Sequence, residues 1–318
     1  MIRIGEFRSS ENGGKWGEPG DQVMPKKPGK VFDGEVRCRY FDGGFTVLYR
    51  PIQEKVAESI AYNMEAAARN PKVGYSQNNG AYPRESFYYA LEKAGGDAAK
   101  IDTLCNGDCS AGTAALLKNA GVDVPLSMWT GTAPVILEKT RQFLELDIDP
   151  DDVSYSRYFL RGDILYRPGH MAIVLENGEA AAPIPVTATG DVWQRLLPGV
   201  TTGTKLRAIA RGDRAEAFLP PVDVDGRPWY ITRYNGRLGW TSSRYLEPAR
   251  IIEATGSVYV RKLPKLGSEI LETLHKGDLK MGGASVYIDS RNIEWYQVVV
   301  TDSCFGWVSG KYSKLVDE

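Results

Sequence analysis

Cys109 and His170 are the two residues whose types and settings could do chemistry together. The cysteine stands in Leu104-Cys105-Asn106-Gly107-Asp108-Cys109-Ser110-Ala111-Gly112. Asp108 has the side chain of a helix N-cap, and an apolar run to Ala120 follows it before Gly121. Cys109 would then sit in the first helical turn. The positive end of the helix dipole favours a thiolate there, and the thiolate is the nucleophilic form. First-turn amides could also hold an oxyanion. The competing reading is a small buried residue at a helix start. His170 opens the β-rich run His170-Met-Ala-Ile-Val-Leu175. An imidazole beside the thiol can take its proton and return it to a leaving amine. It could equally be a strand-end histidine satisfied by solvent or backbone. The chain holds 2 histidines, and the other, His275, lies in a C-terminal β repeat as a strand or turn residue.

The elements that must position this pair change period along the chain. The first fifty residues are rich in glycine and proline and turn strand-like at 35–40 and 44–49. Residues 54–70 place Val56, Ile60, Met64 and Ala67 on one helical stripe. Residues 84–94 read as a second helix closed by Gly95-Gly96, 108–120 as a third and 131–145 as a fourth. An acidic loop, 147–152, follows. Short strands are then expected at 163–166 and 170–175, with Asn177-Gly178 turning the second into a hairpin with 180–182. Helices followed by a small antiparallel sheet indicate an α+β domain over residues 1–185. Residues 183–190 read as a linker.

Beyond it the chain repeats. Ala210-Arg-Gly-Asp213 recurs as His275-Lys-Gly-Asp278, Trp229-Tyr230 as Trp295-Tyr296, and Gly239-Trp240 to Tyr245 as Gly306-Trp307 to Tyr312. Three motifs in one order at a nearly constant offset indicate tandem copies of a small domain, over 190–248 and 251–318. Short strands and glycine-rich turns make each an all-β barrel.

Composition narrows the function classes. With 318 residues, two or more domains are expected. A net charge of −1 gives no basis for a nucleic-acid partner. No run reaches the length of a membrane span, and the first residues lack the apolar core of a secretory signal. A wall-directed enzyme would then start in the host cytoplasm and need another route out, as a phage lysis enzyme does. The 4 cysteines, Cys38, Cys105, Cys109 and Cys304, are too scattered for a disulfide framework and lack the partners of a zinc site. No cofactor is expected.

Asp108-Cys109-Ser110 at a helix start, Gly162-Asp163 opening a strand, and Gly169-His170-Met-Ala-Ile173 on the next resemble the NlpC/p60 family of papain-like peptidases, in the family's order. The layout of residues 1–182 is similar to phage endolysins of this type. The resemblance implies a papain-like fold, Cys109 as nucleophile, His170 as base, and peptidoglycan as substrate. It favours the amide between γ-linked D-glutamate and the following diamino acid. The alternatives are an N-acetylmuramoyl-L-alanine amidase or a non-catalytic wall-binding protein. Tyr75, in Gly74-Tyr75-Ser76-Gln77, corresponds to the family's tyrosine near the oxyanion, at a longer spacing than usual; its other reading is a core aromatic. The family's third polar residue stands about a dozen positions after the base, where this chain has only alanines. Glu176, Asn177 or Glu179 could orient the imidazole instead, or the pair acts alone.

The C-terminal repeats resemble bacterial SH3 (SH3b) domains, which implies a wall-binding role on Gram-positive cells. Two linked copies would raise the effective concentration at a polymeric target. Trp240 and Trp307 read as barrel-core residues, which leaves Tyr245 and Tyr312 as contact candidates.

Overall fold

The computed structural model describes residues 1–10, 12–20, 34–78, 83–201, 203–301 and 304–316. Much of the glycine- and proline-rich stretch, and the last two residues of the expected third domain, lie outside them. The chain divides into two compact units, Met1–Gly178 and Glu179–Glu318.

The first unit begins with strands β1 (Arg3–Phe7), β2 (Val36–Tyr40) and β3 (Val47–Pro51), and helix α1 (Glu54–Arg69) follows. Next come β4 (Val73–Tyr75), α2 (Ser86–Lys93), β5 (Cys105–Gly107), α3 (Cys109–Asn119), α4 (Ala133–Thr140), β6 (Phe143–Asp147), β7 (Ile164–Arg167) and β8 (His170–Val174). The main sheet is antiparallel with order β2-β1-β8-β7-β3-β6, and β4 and β5 form a separate parallel pair. The unit is α+β, but the expected order of helices before sheet is wrong: three of the six strands precede α1.

Two further expectations are corrected. The fourth helix stops at Thr140, and Arg141 takes a left-handed φ of 54°. The rest of that stretch is β6, whose Phe143–Asp147 pair with Pro51–Val47 of β3. Residues 180–182 form no strand, so Asn177-Gly178 does not close a hairpin. The Gly178 amide donates to the Phe159 carbonyl at 2.8 Å, and the place beside β8 is taken by β1, with Ile4 opposite Val174 and Gly5 opposite Ile173.

Strand alternation sends side chains to both faces of the sheet. One face packs under the helices: Phe7, Cys38, Met171 and Ile173 join Ile60 and Met64 of α1 and Ala114, Ala115 and Leu117 of α3. The other face carries Ile4, Leu48, Leu165, Ala172 and Val174, covered by Phe41, Phe45 and Phe159 from the connections. The helical stripe expected on α1 is buried throughout.

The Gly162-Asp163 pair is structural in its contacts. Gly162 has φ +91°, and an added Cβ would stand 2.3 Å from the Ala57 carbonyl oxygen. Asp163 accepts both arms of the buried Arg50 guanidinium, at 2.9 and 2.7 Å, and the Leu160 amide at 2.7 Å. Arg50 also donates to the Tyr158 carbonyl at 2.9 Å. The pair fastens β3 to the turn that launches β7.

The second unit holds two copies of one arrangement. The first is β9 (Ile184–Ala188), β10 (Val192–Arg195), β11 (Lys205–Ile209), β12 (Arg214–Val224), β13 (Arg227–Tyr234), β14 (Arg237–Ser242) and β15 (Leu246–Pro248). The second is β16 (Ile251–Ala254), β17 (Val258–Arg261), β18 (Ile270–Leu274), β19 (Leu279–Ile288), β20 (Glu294–Thr301), β21 (Cys304–Ser309) and β22 (Ser313–Val316). Their sheet orders, β11-β10-β14-β13-β12-β9-β15 and β18-β17-β21-β20-β19-β16-β22, are the same order moved by seven strands. The stretch read as a linker is β9, which buries Ile184, Val186 and Ala188.

The recurring sequence motifs occupy equivalent places. Asp213 accepts the Ala210 amide, and Asp278 accepts the His275 amide. Trp229 stands opposite Ser242, and Trp295 opposite Ser309. The interiors differ. In the first copy the Gln194 amide nitrogen donates to Thr232, whose hydroxyl is 2.7 Å from that of Thr241. The equivalent register positions of the second copy are Val260, Val298 and Val308, all fully buried.

Asp163→Ala leaves the Arg50 guanidinium buried without its counter-ion. It is expected to lower unfolding stability by about 3–5 kcal/mol in denaturant titrations. An Arg50→Met/Asp163→Leu double variant should recover a large part of that loss.

Candidate functional site

The N-cap is built as the sequence predicts. Asp108 Oδ1 accepts the Ser110 and Ala111 amides at 2.9 and 2.8 Å and the Ser110 hydroxyl at 2.8 Å. Its second oxygen pairs with Arg84 Nη1 at 3.1 Å. Arg84 also donates to the Met128 carbonyl, so one cation ties the α3 start to the loop before α4. Two of the first-turn amides are thus occupied by the cap. Cys109's own amide is the first-turn donor the cap does not use.

Gly112, one turn along α3, keeps that helix close to β1. A Cβ there would stand 2.3 Å from the Phe7 ring. The Phe7 ring fills this notch and meets Phe87 edge-on at 5.2 Å. Its strand neighbour Glu6 points to the opposite face.

Glu6 is the residue that sequence reasoning missed. Its Oε2 lies 2.8 Å from His170 Nε2, across 164 residues of chain. Its Oε1 accepts Arg37 at 2.6 Å and Arg39 at 2.8 Å, from the neighbouring β2. Burial alone would raise this carboxyl. The hydrogen bonds from His170 and Arg39 outweigh burial and hold it well below the usual carboxylate range. Because Glu6 is ionised and can only accept, Nε2 carries the proton, which leaves Nδ1 as the basic nitrogen. The Phe45 ring flanks the imidazole, centroids 5.9 Å apart.

The other orienting candidates do not reach the histidine. Glu176 shares the strand parity of His170. At about 3.3 Å per residue, however, it stands roughly 20 Å further along the chain. There it pairs with Arg3 at 3.0 Å. Asn177 accepts the Arg161 amide at 2.8 Å. Glu179 belongs to the second unit.

Cys109, His170, Glu6 and Tyr75 line one cleft of about 470 Å³. The thiol rests against the β8 entry on both sides of His170: its Sγ is 3.9 Å from the Gly169 carbonyl oxygen and takes a hydrogen bond from the Met171 amide. Burial pushes the Cys109 thiol up to about 11, and Asp108 adds to the rise. The Met171 and Ser110 amides and Arg84 oppose this without overcoming it. Burial is the largest influence and favours the thiol form, against the thiolate that a helix N-terminus favours. Cys38 and Cys105, buried in the core, are pushed up to about 12. Tyr75 is both a core aromatic and a cleft residue. Its hydroxyl accepts Gln77 Nε2 at 2.7 Å, and burial pushes it up to about 12, so it keeps a proton to donate.

A family model described as an endolysin-like domain matches residues 4–181, more than half of the chain. The chain belongs to the endolysin-like domain family. That membership agrees with the expected cell-wall hydrolase. Among solved structures, NlpC2 from Trichomonas vaginalis is similar over 42% of this chain and 48% of its own, at 9% identity and a TM-score of 0.24. Ly7917 is similar over 40% and 62%, at 16% identity and a TM-score of 0.18. Ly7917 with the hydrolyzing product of MDP is similar over 41% and 63%, at 17% identity and a TM-score of 0.18. The chain thus spans about half of NlpC2 and less than two thirds of Ly7917. No curated protein matches.

Among the described residues, no group of three His, Cys, Asp or Glu side chains could hold a metal ion, and no helix is long and apolar enough to cross a membrane. In the second unit Trp240 is buried, whereas Trp307 is half-buried and meets Tyr287 edge-on at 6.5 Å. Tyr245 and Tyr312 are exposed, each with a cation over its ring, Arg244 and Lys311. Exposed Trp193 and Tyr259, at equivalent positions of the two copies, carry Lys205 and Arg261 in the same way.

With Cys304→Ser removing the half-buried competitor, alkylation of Cys109 by iodoacetamide should be slow near neutrality. It should rise about tenfold per pH unit up to about pH 10, because the thiolate fraction is small throughout that range. A rate already on a plateau near neutral pH would contradict the raised thiol.

Proposed function

We propose that this endolysin-like chain is a peptidoglycan hydrolase that cleaves an amide bond of the stem peptide, with Cys109 as nucleophile, His170 as base and Glu6 as the orienting carboxylate. The observation that carries the reading is the 2.8 Å hydrogen bond from His170 to the ionised Glu6, in the same cleft as a helix-N-terminal thiol.

The chemistry follows from the resting states. The thiol does not ionise unaided, so His170 Nδ1 takes its proton as sulfur attacks the carbonyl carbon. Glu6 fixes the other nitrogen and stabilises the imidazolium that forms; it stays ionised throughout, as the aspartate of a serine-protease triad does. The Cys109 amide and the Tyr75 hydroxyl are the donors available for the developing oxyanion. The imidazolium then protonates the leaving amine. Water, activated by the same histidine, hydrolyses the thioester and frees the enzyme.

The bond favoured by the NlpC/p60 resemblance is that between γ-linked D-glutamate and the diamino acid. The two C-terminal copies are proposed as SH3b-like modules that hold the enzyme on the wall of a Gram-positive cell. Their exposed aromatic and cationic pairs are the contact candidates. A phage lysis enzyme, made in the host cytoplasm and released to the wall, fits this combination.

Cys109→Ala should abolish release of peptides from purified sacculi while the full chain still sediments with them. Glu6→Gln should retain the fold and lower kcat by roughly 10²-fold, because the imidazole loses its charged anchor. Mass spectrometry of the digest identifies the bond. New amino termini on the diamino acid support the assignment, and free muramoyl lactyl groups indicate an amidase instead. Full lysis by Cys109→Ala would remove the cysteine mechanism.

A further inference from the structure

The catalytic cleft is cationic in a chain whose net charge is −1. Four guanidiniums, Arg8, Arg37, Arg39 and Arg167, line it against two carboxylates, Glu6 and Asp42. Arg37 and Arg39 are committed to Glu6, and Arg39 also reaches Asp42 at 2.5 Å. Arg8 and Arg167 remain, and among the described residues neither makes an ion pair.

Both are set by the backbone that sets the catalytic groups. Arg8 follows Glu6 by two residues. Its amide continues the β1–β2 ladder by donating to the Glu35 carbonyl at 2.7 Å, so strand alternation puts Arg8 on the face of Glu6. Arg167 is the register partner of His170 in the β7–β8 turn. Its guanidinium lies over the Phe45 ring, 5.7 Å from the centroid, and that same ring flanks the imidazole. Two cations with no counter-ion among the described residues therefore neighbour the Glu6–His170 pair, one along β1 and one across the turn. A positive cleft of this kind concentrates anions, and guanidinium pairs with carboxylate through two parallel hydrogen bonds.

We infer that Arg8 and Arg167 form a carboxylate-binding subsite, which makes the enzyme selective for substrates with a free carboxylate beside the scissile amide. This rests on the hydrolase reading and deepens it. In a stem peptide cut after γ-linked D-glutamate, that group is the α-carboxylate of the glutamate itself. Its amidated form, D-isoglutamine, has the same shape but no charge, and its NH2 donors face a guanidinium that can only donate. Losing one charge-assisted pair corresponds to about tenfold or more in kcat/KM.

The test compares L-Ala-γ-D-Glu-L-Lys with its D-isoglutamine counterpart. Cleavage is measured with the full chain, and binding to full-length Cys109→Ala is measured by calorimetry. A preference of about tenfold or more for the carboxylate peptide is expected. It should narrow in Arg8→Met and Arg167→Met, be partly kept in Arg167→Lys, and weaken as salt is raised. Equal cleavage of the two peptides, or a preference unchanged in both methionine variants, overturns the subsite and leaves the hydrolase reading standing. If neither peptide is cleaved but Cys109→Ala prefers the carboxylate form, the subsite holds and the bond assignment falls. If neither is cleaved or bound, both fall.

Discussion

A carboxylate buried at the sheet surface organises the first unit. Taking an ion such as Glu6 out of water costs several kcal/mol unless partners replace its hydration. Here Arg37 and Arg39 from one neighbouring strand and His170 from the other supply them. The three strands β2, β1 and β8 are thus held in register by a charge requirement as well as by backbone pairing. The same requirement fixes the imidazole ring and its tautomer. Stability of the sheet and orientation of the imidazole are one interaction seen from two sides.

That arrangement also gives His170 a carboxylate partner although the residues a dozen positions after it are alanines. Here the edge of β8 is filled by the first strand of the chain. The carboxylate beside the imidazole comes from β1, 164 residues earlier in the chain. Phe7, seated against Gly112, and Glu6, facing the other way, make β1 a spacer between α3, which carries Cys109, and β8, which carries His170.

Much of this was legible in residue types and spacing. Asp108 announced the helix start, the α1 stripe announced its buried face, and Gly121 announced the end of α3. Tyr75 fits either a core or a cleft position from its sequence setting, and it belongs to the core and lines the cleft. Glu6 was not legible. Arg3–Phe7 is a five-residue strand without a turn signal on its N-terminal side, and its partner in the sheet comes 164 residues later. Only strand pairing makes the two neighbours. Glu176 shares the parity of His170 but stands at the far end of the run, where it pairs with Arg3. The thiol's protonation state was missed for a different reason. A helix N-terminus can be read from sequence, whereas the depth of burial that opposes it cannot.

The two C-terminal copies share turns, register and sheet order, yet their interiors carry different chemistry: Gln194, Thr232 and Thr241 in one, Val260, Val298 and Val308 in the other. Adjacent similar domains on one chain are prone to trading strands while they fold. If β10 inserted where β17 belongs, the Gln194 amide would lose the Thr232 hydroxyl that accepts from it and would be enclosed by valines, a polar group set into an apolar interior at a cost in stability. The reverse exchange would leave the threonine hydroxyls without the amide. Each interior thus suits its own strand better than its sibling's, a difference that favours correct pairing where one blueprint is used twice.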